Sequence, residues 1–136
     1  MTRRDLREHL FRLIFMQDFH PAEEQEDVRS LYYEFADQTE GLTEEELAEI
    51  SERFAKVEAE IPKLDPQIEE VSIGWKLARM SKVDLAILRL AAFELLCDEK
   101  IPTGVAINEA VELAKRYGGD ASPSFVNGIL AKLATK

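Results

Sequence analysis

The sequence predicts an all-α protein of about seven helices in two packed helical subdomains. Apolar side chains recur every three or four residues along nearly the whole chain, as on amphipathic helices. The alternation of apolar and polar residues that marks a half-buried strand is nearly absent. With 136 residues, 46% of them hydrophobic, the chain has the size and composition of one globular domain. We expect a single domain over residues 1–136, with approximate subdomains 1–62 and 63–136.

Three helices are predicted in the first subdomain. Their expected bounds, in chain order, are residues 3–18, a segment ending before Gly41, and Thr43 to Pro62. Pro21 closes the first helix, because proline cannot continue the helical hydrogen bonding. Thr43 and Glu46 have the capping-box spacing that opens a helix. The third helix is then expected to end at Pro62.

Four helices are predicted in the second subdomain. Their expected bounds are a start at Asp65-Pro66, a start at Ser81, Val105 to Tyr117, and Ser122 to Leu133. Asp65 has the character of an N-cap, with Pro66 at the first helical position. The helix after Ser81 is apolar on most sides, so it is expected to be the central buried helix. Arg89 within it is expected to pair with a partly buried acid, and Trp75 is expected in the core.

The net charge of −10 is distributed unevenly along the chain. Residues 17–70 contain 18 acidic and four basic residues, whereas residues 1–16 and 71–136 each carry a net charge of +2. An acidic protein is a poor general binder of nucleic acid, since phosphate binding needs basic surface. The two ends of the chain are mildly basic, so binding of an anionic ligand there remains an open alternative.

The motifs and spacings of common enzyme and metal sites are missing. Neither His9 nor His20 follows a glutamate by three residues, so a ferritin-like di-metal site is not supported. The single cysteine, Cys97, excludes an intramolecular disulfide and is expected to be a buried, inert thiol. No phosphate-binding glycine loop or Gly-x-Ser-x-Gly motif occurs. We expect no enzymatic activity, no metal and no cofactor.

The cellular setting follows from what the sequence does not contain. No apolar run approaches the length of a membrane span, and the apolar residues after the first arginines are interrupted by Arg12. One cysteine suits a reducing compartment. We expect a cytoplasmic protein without membrane contact.

The first predicted helix begins with a cluster of arginines. Arg3, Arg4 and Arg7 fall within an arc of about 100°, and Phe11 and Phe15 continue along that strip. The strip is either a surface for phosphates and bases, or an ordinary basic helix end with both phenylalanines in the core. Arginines at a helix N-terminus oppose the macrodipole at a cost of roughly 0.3–1 kcal/mol each. The spacing by itself favours the ordinary helix end, whereas this cost, which brings no structural benefit, points toward an anionic ligand.

Three segments of the second half resemble the NusB family of transcription antitermination factors. They are DLAILRLAAFEL at residues 84–95, VAINEAVELAK at residues 105–115 and FVNG at residues 125–128. The resemblance is most specific over residues 79–130, and the arginine-rich start is also similar. Residues 19–70 match only in helical character. The same fold occurs as a domain of some RNA cytosine methyltransferases, but this chain looks like the stand-alone factor.

The resemblance implies a specific function without chemistry. Proteins similar to this one bind the boxA element of ribosomal-RNA transcripts as single-stranded RNA. They act with the ribosomal protein NusE in the RNA polymerase antitermination complex. The residues for which it implies RNA contact are Arg3, Arg4, Arg7, Phe15, Phe125 and Asn127. It places NusE contact at Phe93 and Glu94.

Departures from the family pattern predict weak RNA binding by the protein alone. Asp5 and Leu6 stand where the family often has basic residues and alanine, and Phe15 and Phe93 stand where tyrosine is common. We therefore expect NusE to strengthen RNA binding through a shared surface. The alternative is an acidic helical protein-interaction module without direct RNA binding. The sequence leaves open whether the chain is a monomer or a homodimer.

Overall fold

The computed structural model describes all of residues 1–136, which form six α-helices and one short 3-10 turn, with no strand. The helices are α1 (Arg3–Gln17), α2 (Ala22–Glu40), α3 (Glu44–Val71), α4 (Lys82–Cys97), α5 (Thr103–Tyr117) and α6 (Ser122–Ala134). The 3-10 turn is Leu77–Arg79. The predicted all-α class is confirmed. No helix combines the length and hydrophobicity needed to cross a membrane.

The predicted break at Pro62 is wrong, because α3 continues through both Pro62 and Pro66. An interior proline removes one backbone hydrogen bond and crowds the preceding turn, at a cost of about 3 kcal/mol. Leu64 and Ile68, on either side of Pro66, are almost completely buried, while both prolines are exposed. Burial of this apolar face outweighs the local cost, so two predicted helices are one. Asp65 consequently lies inside the helix and is not an N-cap.

The chain divides into two compact units, Met1–Glu58 and Ala59–Lys136, with the boundary inside α3. In the first unit, α1 packs against α2. Its core comprises Leu6, Leu10, Phe11, Leu13, Ile14, Tyr32, Ala36, Ile50, Phe54 and Val57. The capping box predicted at the start of α3 is present, since Thr43 and Glu46 exchange both hydrogen bonds, at 3.0 and 3.1 Å.

A buried polar contact joins α1 to α2. His9 is only 1% exposed, and its Nδ1 atom shares a hydrogen bond of 2.6 Å with the hydroxyl of Tyr32. Nε2 of His9 lies 3.4 Å from a carboxylate oxygen of Glu40. Burial raises the pKa of the Tyr32 hydroxyl above its ordinary value, since the charged phenolate is disfavoured away from water. The contact is structural and fixes the register of the two helices.

In the second unit, α4, α5 and α6 pack against one another. The Ser81 hydroxyl accepts the backbone N–H of Asp84 at 3.0 Å and so caps α4, as predicted. Most of α4 is buried, as the apolar character of its sequence predicted. Arg89 donates two hydrogen bonds, of 2.9 and 2.8 Å, to the two carboxylate oxygens of Asp65. Arg89 therefore pairs with a partly buried acid, as predicted, and that acid is Asp65 of α3.

Candidate nucleic-acid interface

A reciprocal cap holds the arginine-rich start of α1. The Thr2 hydroxyl accepts the backbone N–H of Asp5 at 3.0 Å, and the Asp5 carboxylate accepts the backbone N–H of Thr2 at 2.9 Å. The hydrogen bonds from the Thr2 backbone and hydroxyl hold the pKa of Asp5 below its ordinary value. The carboxylate stays charged where the helix dipole favours negative charge. The first turn is thus an ordered platform for its arginines.

The three predicted arginines lie at this end of the first unit. Arg3 and Arg4 are exposed, and Arg7 is partly buried. Nη1 of Arg3 lies 3.6 Å from a carboxylate oxygen of Glu49, and the two side chains are 84% and 49% exposed. An ion pair this open contributes about 0–1 kcal/mol. A phosphate could therefore replace the carboxylate at little cost.

A row of phenylalanines follows the arginines toward the end of α1. Phe11 is buried, Phe15 is partly buried and Phe19 is 56% exposed. The Phe11 and Phe15 rings are stacked at 6.1 Å between centroids, and Phe15 meets Phe19 edge to face at 5.1 Å. Phe11 therefore belongs to the core, and Phe15 is accessible only in part. Sequence analysis missed Phe19, although the repeated spacing of four residues would have indicated it.

The second unit contains the other two predicted RNA-contacting residues, both on α6. Phe125 is partly buried and Asn127 is exposed. Two residues of separation place them about 160° apart around the helix. They therefore do not form one contact surface. Lys132, two turns further along, lies on the same side of α6 as Phe125 and is exposed. Lys132 was not among the predicted RNA-contacting residues.

Trp75 is the main correction near this site. It was expected in the core, yet it is 49% exposed, and its ring meets that of Phe125 edge to face at 5.5 Å between centroids. The prediction took Trp75 as part of the helix expected to start at Asp65-Pro66. Because α3 ends at Val71, Trp75 lies in the turn that follows, outside the helix.

Neither residue predicted to contact NusE is on the surface. Phe93 and Glu94 are 4% and 3% exposed. Their side chains are therefore not available to a protein partner in this structure. The apolar pattern of α4 had indicated this burial for Phe93, but the charge of Glu94 concealed it.

The predicted burial of Cys97 is also wrong, since the thiol is exposed at the end of α4. Partial desolvation, and next the negative charge of Glu60, raise the pKa of this thiol above its ordinary value. A raised pKa leaves little of the nucleophilic thiolate at neutral pH. No group of three or more histidine, cysteine or acidic side chains is arranged to hold a metal ion.

Comparison with solved structures defines the class of protein. A chain of Thermotoga maritima NusB superposes with a TM-score of 0.85 at 34% identity, covering 100% of this chain and 92% of the other. A chain in the crystal structure of a plectonemic RNA supercoil superposes with a TM-score of 0.81 at 21% identity. It covers 98% of this chain and 94% of that chain, and at this identity it shows the fold alone. The fold is that of NusB.

Sequence comparison then gives the family. The NusB family model matches residues 4–135. The transcription antitermination protein NusB of Lachnoclostridium phytofermentans is 50% identical, over 98% of both chains. That of Agathobacter rectalis is 46% identical, over 98% of this chain and all of the other. The chain belongs to the NusB family, whose members compared here are transcription antitermination proteins.

Proposed function

We propose that this protein is a non-enzymatic transcription antitermination factor. In this proposal it binds boxA-type single-stranded RNA of ribosomal-RNA transcripts, together with the ribosomal protein NusE, in the RNA polymerase antitermination complex. The observation that carries the RNA role is the capped first turn of α1, where Arg3 and Arg4 are exposed in a chain with a net charge of −10. Membership of the NusB family supports it.

The chemistry of this end of α1 suits a single strand. Guanidinium groups bind phosphates bidentately, and unpaired bases stack on aromatic rings or guanidinium planes. Arg3, Arg4 and Arg7 would meet phosphates, and the accessible part of Phe15 would meet a base. In the second unit, Phe125 offers a second ring, and Asn127 a hydrogen-bonding amide on another side of α6.

The proposed role of Phe93 and Glu94 in NusE binding cannot be a direct contact of their side chains. Phe93 and Glu94 are buried, so we assign them the role of fixing the shape of α4 for NusE. Substitution at these positions would then weaken NusE binding through the helix. The basic character of many ribosomal proteins suits the acidic residues 17–70 of this chain.

Charge reversal at all three arginines tests the RNA role. Wild-type protein is titrated with a short boxA-like RNA over a series of salt concentrations, with and without NusE. We expect a log–log slope for roughly two to four released counterions, at about 0.7 per phosphate contact on a single strand. The R3E/R4E/R7E variant should lose RNA binding and keep NusE binding. A matched control is K115E/R116E, which reverses two exposed charges on α5.

A second function is favoured by one feature of α2. Leu31 and Phe35 are 66% and 62% exposed on a helix with seven acidic residues and only Arg29 as a base. Such a surface suits an acidic protein-interaction module without direct RNA binding. If no RNA binds with or without NusE, while NusE is still captured, this second function replaces the first.

A further inference from the structure

The indole of Trp75 is exposed at a position that the fold holds in place. Trp75 follows Gly74, whose φ of +82° is the left-handed conformation that glycine adopts readily. The backbone N–H of Trp75 donates to the carbonyl of Ser72 at 2.9 Å. Ser72 is itself buried, and its hydroxyl donates to the carbonyl of Ile68 at 2.6 Å. The turn from Ser72 to Trp75 is thus anchored to the end of α3, which presets the backbone of Trp75.

The ring geometry leaves aromatic surface for a ligand. Trp75 and Phe125 meet at 73° between ring planes. In an edge-to-face pair, the ring that presents its edge keeps both of its own faces uncovered by the other ring. Trp75 remains 49% exposed and Phe125 is only partly buried. Two adjacent rings are therefore accessible within one unit of the protein.

The segment that contains Trp75 is basic, although the acidic Glu69 and Glu70 at the end of α3 lie close to it. Lys76, Arg79 and Lys82 are the only charged residues between Ser72 and Val83, and all three are exposed. Lys76 forms one ion pair, of 3.4 Å with Glu69, and its side chain is 78% exposed. Such open pairs are weak, so Lys76 remains available to a phosphate. An exposed tryptophan in contact with a partly buried phenylalanine, beside a basic segment, matches the aromatic and basic residues that line single-strand binding surfaces.

We propose that Trp75 is a further stacking residue for single-stranded RNA, beside Phe125, with Lys76 and Arg79 binding the adjoining phosphates. The inference rests on the proposed function and adds to it a residue that contacts a base. A protein could bind to apolar, acidic or basic surroundings, but a phosphodiester chain requires basic ones. The basic residues beside Trp75 therefore favour RNA over a protein.

Trp75 is the only tryptophan of the chain, so its fluorescence reports on this site alone. Full-length protein is titrated with boxA-like RNA, and indole emission is followed beside the anisotropy of end-labelled RNA. We expect emission to be quenched in parallel with the rise in anisotropy. With NusE present, the difference in emission between wild type and W75F isolates the signal of Trp75.

Substitution provides the second arm of the experiment. W75A should weaken RNA binding about ten-fold, within the range for loss of one stacked base. W75F should keep most of the affinity, because a smaller aromatic ring still stacks. In titrations without NusE, the control F35A removes a ring that is 62% exposed, against 49% for Trp75, from acidic α2 and should leave RNA affinity unchanged. Circular dichroism melting checks that each variant is folded, and the wild-type fluorescence needs no variant.

The outcomes separate this inference from the proposed function. If anisotropy rises while indole emission stays constant and W75F and W75A bind as wild type, Trp75 does not stack and the inference is overturned. The proposed function would then stand. Absence of any rise in anisotropy, with or without NusE, overturns both. Quenching by NusE in the absence of RNA would make Trp75 a protein contact and would also overturn the inference.

Discussion

Among single residues, the pair of Arg89 and Asp65 shows how a buried charge is tolerated. The side chain of Arg89 is 13% exposed and that of Asp65 is 24% exposed. The guanidinium of Arg89 donates to both carboxylate oxygens of Asp65. This bidentate geometry best offsets the cost of desolvating the two charges. Water reaches the carboxylate of Asp65 more easily than the guanidinium of Arg89.

This difference predicts unequal effects of removing either partner. D65A removes the carboxylate that accepts two hydrogen bonds from the more buried guanidinium and should lower the free energy of unfolding by about 2–4 kcal/mol. R89M leaves the carboxylate, which water reaches more easily, and should cost about 1 kcal/mol. Urea unfolding followed by circular dichroism measures both.

The double variant D65A/R89M is the control for this prediction. Because it leaves neither charge unpaired, its loss should be smaller than the sum of the two single losses. Additive losses, or a larger loss for R89M than for D65A, would contradict the account of Arg89 as the partner more dependent on the pair.

Among the helices, α3 carries an unusual local cost. Pro62 and Pro66 both lie in its interior, each without a backbone N–H to donate to the preceding turn. The buried side chains of Leu64 and Ile68 show what sustains the helix there. The helix therefore persists through tertiary burial against its own backbone preference.

Replacing the exposed Pro62 should accordingly stabilise the protein. P62A restores one hydrogen bond and relieves crowding, so the free energy of unfolding should rise by about 1–3 kcal/mol. Pro123 provides a matched control, because it lies in the first turn of α6, where proline costs little. P123A should change stability by less than about 0.5 kcal/mol. A loss of stability in P62A would show that the fold requires the proline geometry at that position.

For the whole molecule, charge is the dominant long-range feature. Residues 17–70 contain 18 acidic and four basic residues, and most of the acids are exposed on helices. Like charges at this density repel one another and destabilise the folded state. The negative charges of the capping residues Asp5 and Glu46 are stabilised by hydrogen bonds, which hold the pKa of each carboxyl below its ordinary value.

Screening this repulsion should stabilise the protein. We expect moderate sodium chloride to raise the melting temperature, because salt weakens interactions between exposed charges. E26Q/D27N removes two exposed acids from α2 and should raise the melting temperature at low salt while reducing the gain from salt. E112Q, which opens an exposed pair with Lys115, should not raise it. A melting temperature that falls with salt would indicate that ion pairs outweigh repulsion.

The sequence by itself determined the features that depend on near neighbours. The helical class, the caps at Thr43 and Ser81, and the burial of α4 all follow from spacing within a few residues. The arginines were predicted to lie at the start of the first helix, and Arg3 and Arg4 are exposed there. Family membership was also readable, because the segments that carry the resemblance are contiguous in the chain.

Only the tertiary structure decided which helices continue and which side chains reach solvent. Pro62 predicted a break that burial of Leu64 overrides, and Trp75 predicted core where a turn exposes it. Glu94 is an acidic residue, yet its side chain is as buried as that of Phe93. A local pattern fixes where a side chain points on its own helix, but its exposure depends on the residues, distant in sequence, that pack over it.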